Sequence, residues 1–328
     1  MNLCEACEFS PATAEEASSD PATHFHVCAA CRERLLSRAL RPREWYNLAK
    51  KHGTWHYLLR DDFYTDDGTS HQPDQPVKDP ELHLAPTLDE VKTDPNTLLD
   101  FTITQWYLRP NVAEAWKQVD RAIVLNTLKE RYALARTIDV QGIILDVAAC
   151  ALDRTGEAFV SAAWDDFREP HQLYSLANAS AACLTHEDGF SRVTTALAGF
   201  DEKTRRENLF ALSYFRSRDG LDWIEENVCS PVTGEWGRLA AASRFHWGKA
   251  DSWLRKGRPL SLVALDALLS IVRRETPLLS NLHPELEDKP ESASFESTLK
   301  RYAEQDNAPR VTRAISALLN KSNLLARI

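Results

Sequence analysis

The chain has 328 residues, of which 43% are hydrophobic; that suffices for a sizeable core, so wholesale disorder is excluded and about two domains are expected. It carries 39 Lys and Arg against 48 Asp and Glu, and a net charge of −9 argues against a dedicated nucleic-acid binder, which usually has a basic excess. No apolar run approaches the roughly 18 residues needed to cross a bilayer; the opening Met1-Asn2-Leu3-Cys4-Glu5 has neither a basic nor an apolar leader, so a cytoplasmic protein with reduced thiols and no membrane partner is expected.

Four of the seven cysteines lie in the first 31 residues, as Cys4-x2-Cys7 and Cys28-x2-Cys31, with twenty residues between the pairs. Two such pairs fit a tetrahedral zinc site in which Cys4, Cys7, Cys28 and Cys31 are the metal ligands. About 30 residues cannot bury enough apolar surface to fold alone. Structural Zn2+ would supply the missing energy, about 10–16 kcal/mol in zinc-finger peptides. Disulfides are disfavoured by the expected cytoplasmic location, and a redox pair by the absence of a βαβ pattern. His24 and His26 stand just before Cys28 and could each replace one cysteine; a short strand over residues 23–27 accounts for them better. Four thiolates close the metal's shell, so no chemistry is expected there.

The string Cys4-Glu5-Ala6-Cys7, then Pro11-Ala12-Thr13, then His26-Val27-Cys28-Ala29-Ala30-Cys31 followed by Arg32-Glu33-Arg34-Leu35-Leu36 resembles a treble-clef or ribbon zinc finger. It is similar to the N-terminal modules of some bacterial protein-quality-control adaptors, over about a tenth of the chain. The resemblance implies that the second pair opens a helix, here spanning Ala29 to Leu40, and that the module serves protein contacts or dimerisation. Residues 1–40 are thus expected to form a zinc-binding module.

Residues 41–100 read as short helices and an acidic linker. Pro42 suits a first helical position and Gly53 a helix end. Trp55, Tyr57, Leu58 and Leu59 make a short apolar patch. From Arg60 to Asp100 there are eleven acidic and three basic residues, interrupted by Pro73, Pro76, Pro80 and Pro86. A solvated linker is the preferred account, an acidic surface for a basic partner the other. Asp61, Asp62, Asp66 and Asp67 miss the spacing of a calcium loop.

Residues 101–328 read as a helical-repeat domain. Thr87-Leu88-Asp89-Glu90 just before it has the form of a capping box. Asp120 to Leu134 carries Ala122, Ile123, Leu125, Leu128, Tyr132 and Ala133 at helical spacing. Gly156, Gly189, Gly220 and Gly248 recur at 33, 31 and 28 residues, each between a small-apolar segment and an amphipathic one. Helical hairpins of about 30 residues, repeated, would make an α-solenoid. Residues 138–275 resemble the HEAT family in pattern, with shorter units; an irregular helical bundle is the competing arrangement. The fold class expected is therefore mainly α, a HEAT-like α-solenoid of helical hairpins with a small N-terminal zinc module. Pro284 to Pro290 reads as a polar linker, with closing helices over Ser294–Ala303 and from Val311 to about Leu325.

No nucleotide-binding, HExxH or GxSxG motif occurs, and no catalytic residue is assigned. Cys150, Cys183 and Cys229 read as core or near-core thiols. Trp223, Trp236, Trp247 and Trp253 either anchor a binding surface or pack between helices, the latter being favoured. The function expected is a protein-binding adaptor or scaffold with a protein partner. Two alternatives stand beside it: a HEAT-like DNA-binding or DNA-repair protein, using Arg192, Lys203, Arg205, Arg206, Arg216, Arg218 and Arg238, and a bacterial regulatory or immunity-type protein that blocks one partner.

Overall fold

The computed structural model describes residues 2–17, 24–37, 39–53, 85–105, 107–273 and 284–319. The chain is mainly helical. Two strands come first, β1 (Ala14–Ala17) and β2 (His24–Val27), paired antiparallel with Ala14 opposite Val27. Unit by unit, the helices follow in chain order. They begin with α1 (Ala29–Leu36), α2 (Pro42–His52), α3 (Leu88–Val91), α4 (Pro95–Ile103), α5 (Pro110–Lys117), α6 (Arg121–Leu134), α7 (Ile138–Ala151) and α8 (Glu157–Asp165). Then come α9 (Leu173–Cys183), α10 (His186–Gly199), α11 (Glu202–Asn208), α12 (Asp219–Asn227), α13 (Gly234–Ala242), α14 (Trp247–Lys256), α15 (Leu260–Arg273), α16 (Ser292–Gln305) and α17 (Pro309–Leu319). Short 3-10 segments stand at Asp153–Gly156, Pro170–Gln172 and Leu209–Phe215. None of the described helices is long and apolar enough to cross a membrane.

Local chemistry sets many of these ends. Pro42 stands at the start of α2, and Gly53 closes it with φ 82°, a left-handed backbone that favours glycine. The Glu90 carboxylate accepts from the N–H (2.7 Å) and hydroxyl (2.9 Å) of Thr87, the return half of the expected capping box. Asp120 caps α6 by accepting from the N–H groups of Ala122 and Ile123. The buried face of α6, however, is Val124, Thr127, Leu128 and Tyr132; Ala122, Ile123 and Ala133 point to solvent. Helix α1 stops at Leu36, short of the expected Leu40, where Ser37 turns back and its hydroxyl donates to the Glu33 carbonyl.

The chain forms two compact units, Met1–Phe167 with Asn178–Leu184, and Arg168–Ala177 with Thr185–Ile328. In the first unit α4 packs on α2, α3, α6 and α7, and α7 also receives α5 and α6. Its largest fully buried side chains include Trp116, Leu98, Leu99, Ile103, Leu128 and Ile144. The Trp116 indole donates to the buried Thr102 hydroxyl, 3.0 Å away.

In the second unit alternate elements stack. The 3-10 segment Leu209–Phe215 packs on α13, α13 on α15, and α15 on α17; α14 packs on both α15 and α16. In chain order, Gly156 of the first unit and Gly189, Gly220 and Gly248 of the second stand at the entry or in the first turns of α8, α10, α12 and α14, every second helix. Trp223, Trp236 and Trp253 are packed inside, and Trp223 stacks on Trp236 at 5.9 Å. Trp247 lies against Phe295 at 5.2 Å. The surface-anchor use of this cluster is therefore set aside: the rings fill space between helices. Residues 54–59, most of the acidic stretch, Asp61–Asp67 and the expected run of the closing helix from residue 320 to about Leu325 lie outside the described residues.

Candidate metal centre

The first cysteine pair sits on a tight turn. The Cys4 N–H donates to the Ser10 carbonyl (2.7 Å), and the Glu8 N–H donates to the Cys4 carbonyl (2.9 Å), with Glu8 at φ 60°. The second pair is helical: Cys28 is the N-cap residue of α1, and Cys31 lies in its first turn. Strand β2 delivers Cys28, and the Glu5 N–H bonds to the His26 carbonyl (2.8 Å), holding the turn against the strand.

These constraints bring the Sγ atoms of Cys4, Cys7, Cys28 and Cys31 within 4.8 Å of one another. The Cys7 and Cys28 sulfurs are 4.0 Å apart. A tetrahedral ion with Zn–S bonds of about 2.3 Å would place its sulfurs about 3.8 Å apart, so the Cys7–Cys28 pair is already close to that spacing and the widest pair would close by about 1 Å. Among the described residues these four form the group that can hold a metal ion, and neither His24 nor His26 joins it. Both histidines lie in β2; the His24 ring faces Glu15 at 3.2 Å.

The surroundings suit a thiolate cluster. Burial pushes the Cys4 thiol up, against opposing N–H groups of Cys7, Cys28 and Ala6. Burial acts on Cys7 in the same sense, but the N–H groups of Ser10 and Phe9 and the neighbouring thiols outweigh it and bring it down to about 7. Burial and the adjacent thiols raise Cys31. Without an ion the four sulfurs cannot all ionise together; a dication removes that conflict.

A second layer of charge backs the cluster. Arg34 donates from Nη2 to the Cys31 sulfur (3.2 Å) and also to Glu44 Oε1 (2.6 Å), while its Nε donates to Glu44 Oε2 (2.9 Å). Glu44 is only 3% exposed and accepts also from the Arg41 N–H (3.0 Å). Burial would raise its carboxyl, but Arg34 and the Arg41 N–H hold it below the usual range. On the opposite flank Glu5 accepts from the His26 N–H (2.9 Å) and lies 3.2 Å from His52 Nε2, and these bonds outweigh its burial to keep it ionised. Asn47 donates to the Ala6 carbonyl at 2.9 Å. Leu48 completes the apolar cluster of Cys4, Ala6, Phe25, Val27, Cys28 and Cys31. These partners on α2 follow no motif.

Cys150, Cys183 and Cys229 lie apart from this cluster, the first and last half-buried. Cys183 is fully buried, raised to about 11 by burial, and Cys150 is raised to about 12 for the same reason. The basic side chains considered for nucleic acid are largely engaged. Arg192 pairs with Asp188, Lys203 with Glu207, Arg218 with Glu287 and Arg238 with Glu235, while Arg205 donates to the Leu197 and Phe200 carbonyls at the end of α10. No family model, curated protein or solved structure matches this chain.

Proposed function

We propose that the chain is a zinc-stabilised adaptor or scaffold that binds protein through its helical units and its N-terminal module. The observation that carries the reading is the closed shell of four converging sulfurs. It offers a metal four thiolate ligands and leaves no open position for substrate, which suits a structural Zn2+. Phe9 at the tip of the first cysteine turn is 86% exposed, and Leu3 and Leu36 on the same module are also exposed, which suits a contact surface. The alternation of helices in the second unit supports a HEAT-like stack, an architecture that presents extended faces to partners. The net charge of −9 weighs against the DNA-binding alternative.

The test is an affinity capture from source-cell lysate with wild type and a Cys4→Ser/Cys28→Ser variant as baits. Stoichiometric protein partners support the reading. Loss of one with the variant, at retained helicity, assigns that contact to the module. A single tight partner favours the blocking alternative, and no protein partner with either bait refutes the adaptor reading.

A further inference from the structure

The segment just before α16 is held in an unusual way. Residues 284–287, Pro-Glu-Leu-Glu, lie along the turn between α13 and α14, and Asp288 bends away from it at φ 52°. Glu287 forms a parallel bridge with His246: its N–H donates to the Phe245 carbonyl (2.9 Å) and its carbonyl accepts from the Trp247 N–H (3.0 Å). Arg218 donates to Glu287 Oε2 (2.6 Å) and to Asp288 Oδ2 (3.2 Å), and Arg244 donates to Glu287 Oε1 (2.7 Å). Leu286 is 2% exposed, the one buried side chain of the five.

This is the chemistry by which folded domains recognise extended peptides. Main-chain bonds to a free edge set register, one apolar side chain fills a pocket, and arginines read the carboxylates that follow. The hold is also light. Both arginines are about half exposed, so their pairs are screened by salt. One buried leucine and two main-chain bonds do not match a packed helix, so the strap belongs to the elements that open first. Once it opens, the Phe245 carbonyl, the Trp247 N–H and two guanidinium groups lose their partners together and favour a replacement of the same chemistry.

We propose that the seat formed by Arg218, Arg244, Phe245 and Trp247 is a peptide-binding site. The chain's own strap fills it here, and it accepts in trans an extended peptide carrying a leucine followed by two acidic residues. The site rests on the reading of this unit as a protein-binding body and names its partner's chemistry. The strap acts as an intramolecular competitor at an effective concentration on the order of millimolar, so the resting chain is autoinhibited.

The test uses the full chain and a fluorescent peptide of residues 284–290. Leu286→Asp frees the seat without altering it. Expected are at least tenfold tighter peptide binding by this variant than by wild type, loss of that gain when Arg218→Glu and Arg244→Glu are added, and faster amide exchange at Trp247 in the absence of peptide. Equal affinities for wild type and Leu286→Asp, or a gain that survives both arginine reversals, would overturn the site. If Leu286→Asp loses helicity, Glu287→Lys takes its place, with the same two outcomes. A wild-type dimer that Leu286→Asp dissolves would also overturn it, because the seat would then serve a second copy. Captured partners that the peptide does not displace would overturn the site and leave the adaptor reading standing.

Discussion

Gly237 is the most demanding position in the helical stack, and replacing it with alanine tests the packing of α13 on α15. A Cβ built there would lie 2.3 Å from the Asp266 Cβ and 2.9 Å from both the Asp266 carbonyl carbon and the Ala267 nitrogen. Two of these neighbours are backbone of α15, so no rotamer relieves the clash. Asp266 also accepts from Arg310 Nη2 (2.5 Å), and Arg310 Nη1 donates to the Val232 carbonyl (2.6 Å), so displacing α15 strains that link. Overpacking of this kind costs about 1–3 kcal/mol, and more where backbone must shift. The gain from replacing a helical glycine with alanine is about 1 kcal/mol. The clash wins, and a net loss of about 2 kcal/mol lowers the midpoint of thermal unfolding by about 4–8 °C. Gly234→Ala is the control: it lies on the same helix with nothing within 4 Å of its Cβ, and it should be neutral or slightly stabilising. Melting followed by circular dichroism compares the two. A Gly237→Ala protein as stable as wild type would refute the close approach of α13 and α15.

Purified from zinc-containing medium, the chain should carry about one zinc per molecule by elemental analysis; a strong chelator or Cys4→Ser/Cys28→Ser should remove it and lower the melting midpoint. Glu44→Gln keeps the shape but leaves Arg34 without its anionic partner, and should cost about 1–3 kcal/mol and speed zinc loss to a chelator. Asp306, held below the usual carboxylate range chiefly by Arg258, contributes stability above its ordinary pKa and loses it as pH falls through the lower folded value. The stability gap between wild type and Asp306→Asn, measured by urea unfolding, should therefore be constant above about pH 5 and shrink as pH falls below about 4.

What was legible in the sequence is what short-range chemistry encodes. The cysteine pairs could be read because ligand spacing in a knuckle is fixed by local geometry, and the sulfurs do converge. Pro42, Gly53 and Thr87 announced helix ends for the same reason. Strand β1, by contrast, reads Ala-Glu-Glu-Ala; no propensity marks it, and it exists because β2 pairs with it. The face of α6 was misplaced because Ile123 and the alanines look apolar, while burial depends on which neighbours arrive from α4 and α7. The strap 284–288 read as a linker for a related reason: its charges find arginines some 40 and 70 residues earlier.

Helix α2 makes the metal centre more than an appendage of the first unit. It touches the knuckles at Glu44, Asn47, Leu48 and His52, spaced so that all four fall on one helical face. At its far end the His52 carbonyl accepts from the Thr137 hydroxyl (3.0 Å), the N-cap residue of α7. Gly53 follows at positive φ, where a Cβ would meet the Asp139 Cβ at 2.8 Å, so the chain passes close under the start of α7. A metal that orders the knuckles therefore orders the surface on which α2 lies, and α2 in turn fixes the cap of α7, a helix central to this unit. The free energy of binding a metal there would be spread along that chain of contacts and not confined to the 30 residues that hold the candidate ligands. Amide exchange at Val140, whose N–H donates to the Thr137 hydroxyl at 3.3 Å, should for this reason quicken when zinc is removed, although it lies far along the sequence from any cysteine of the cluster.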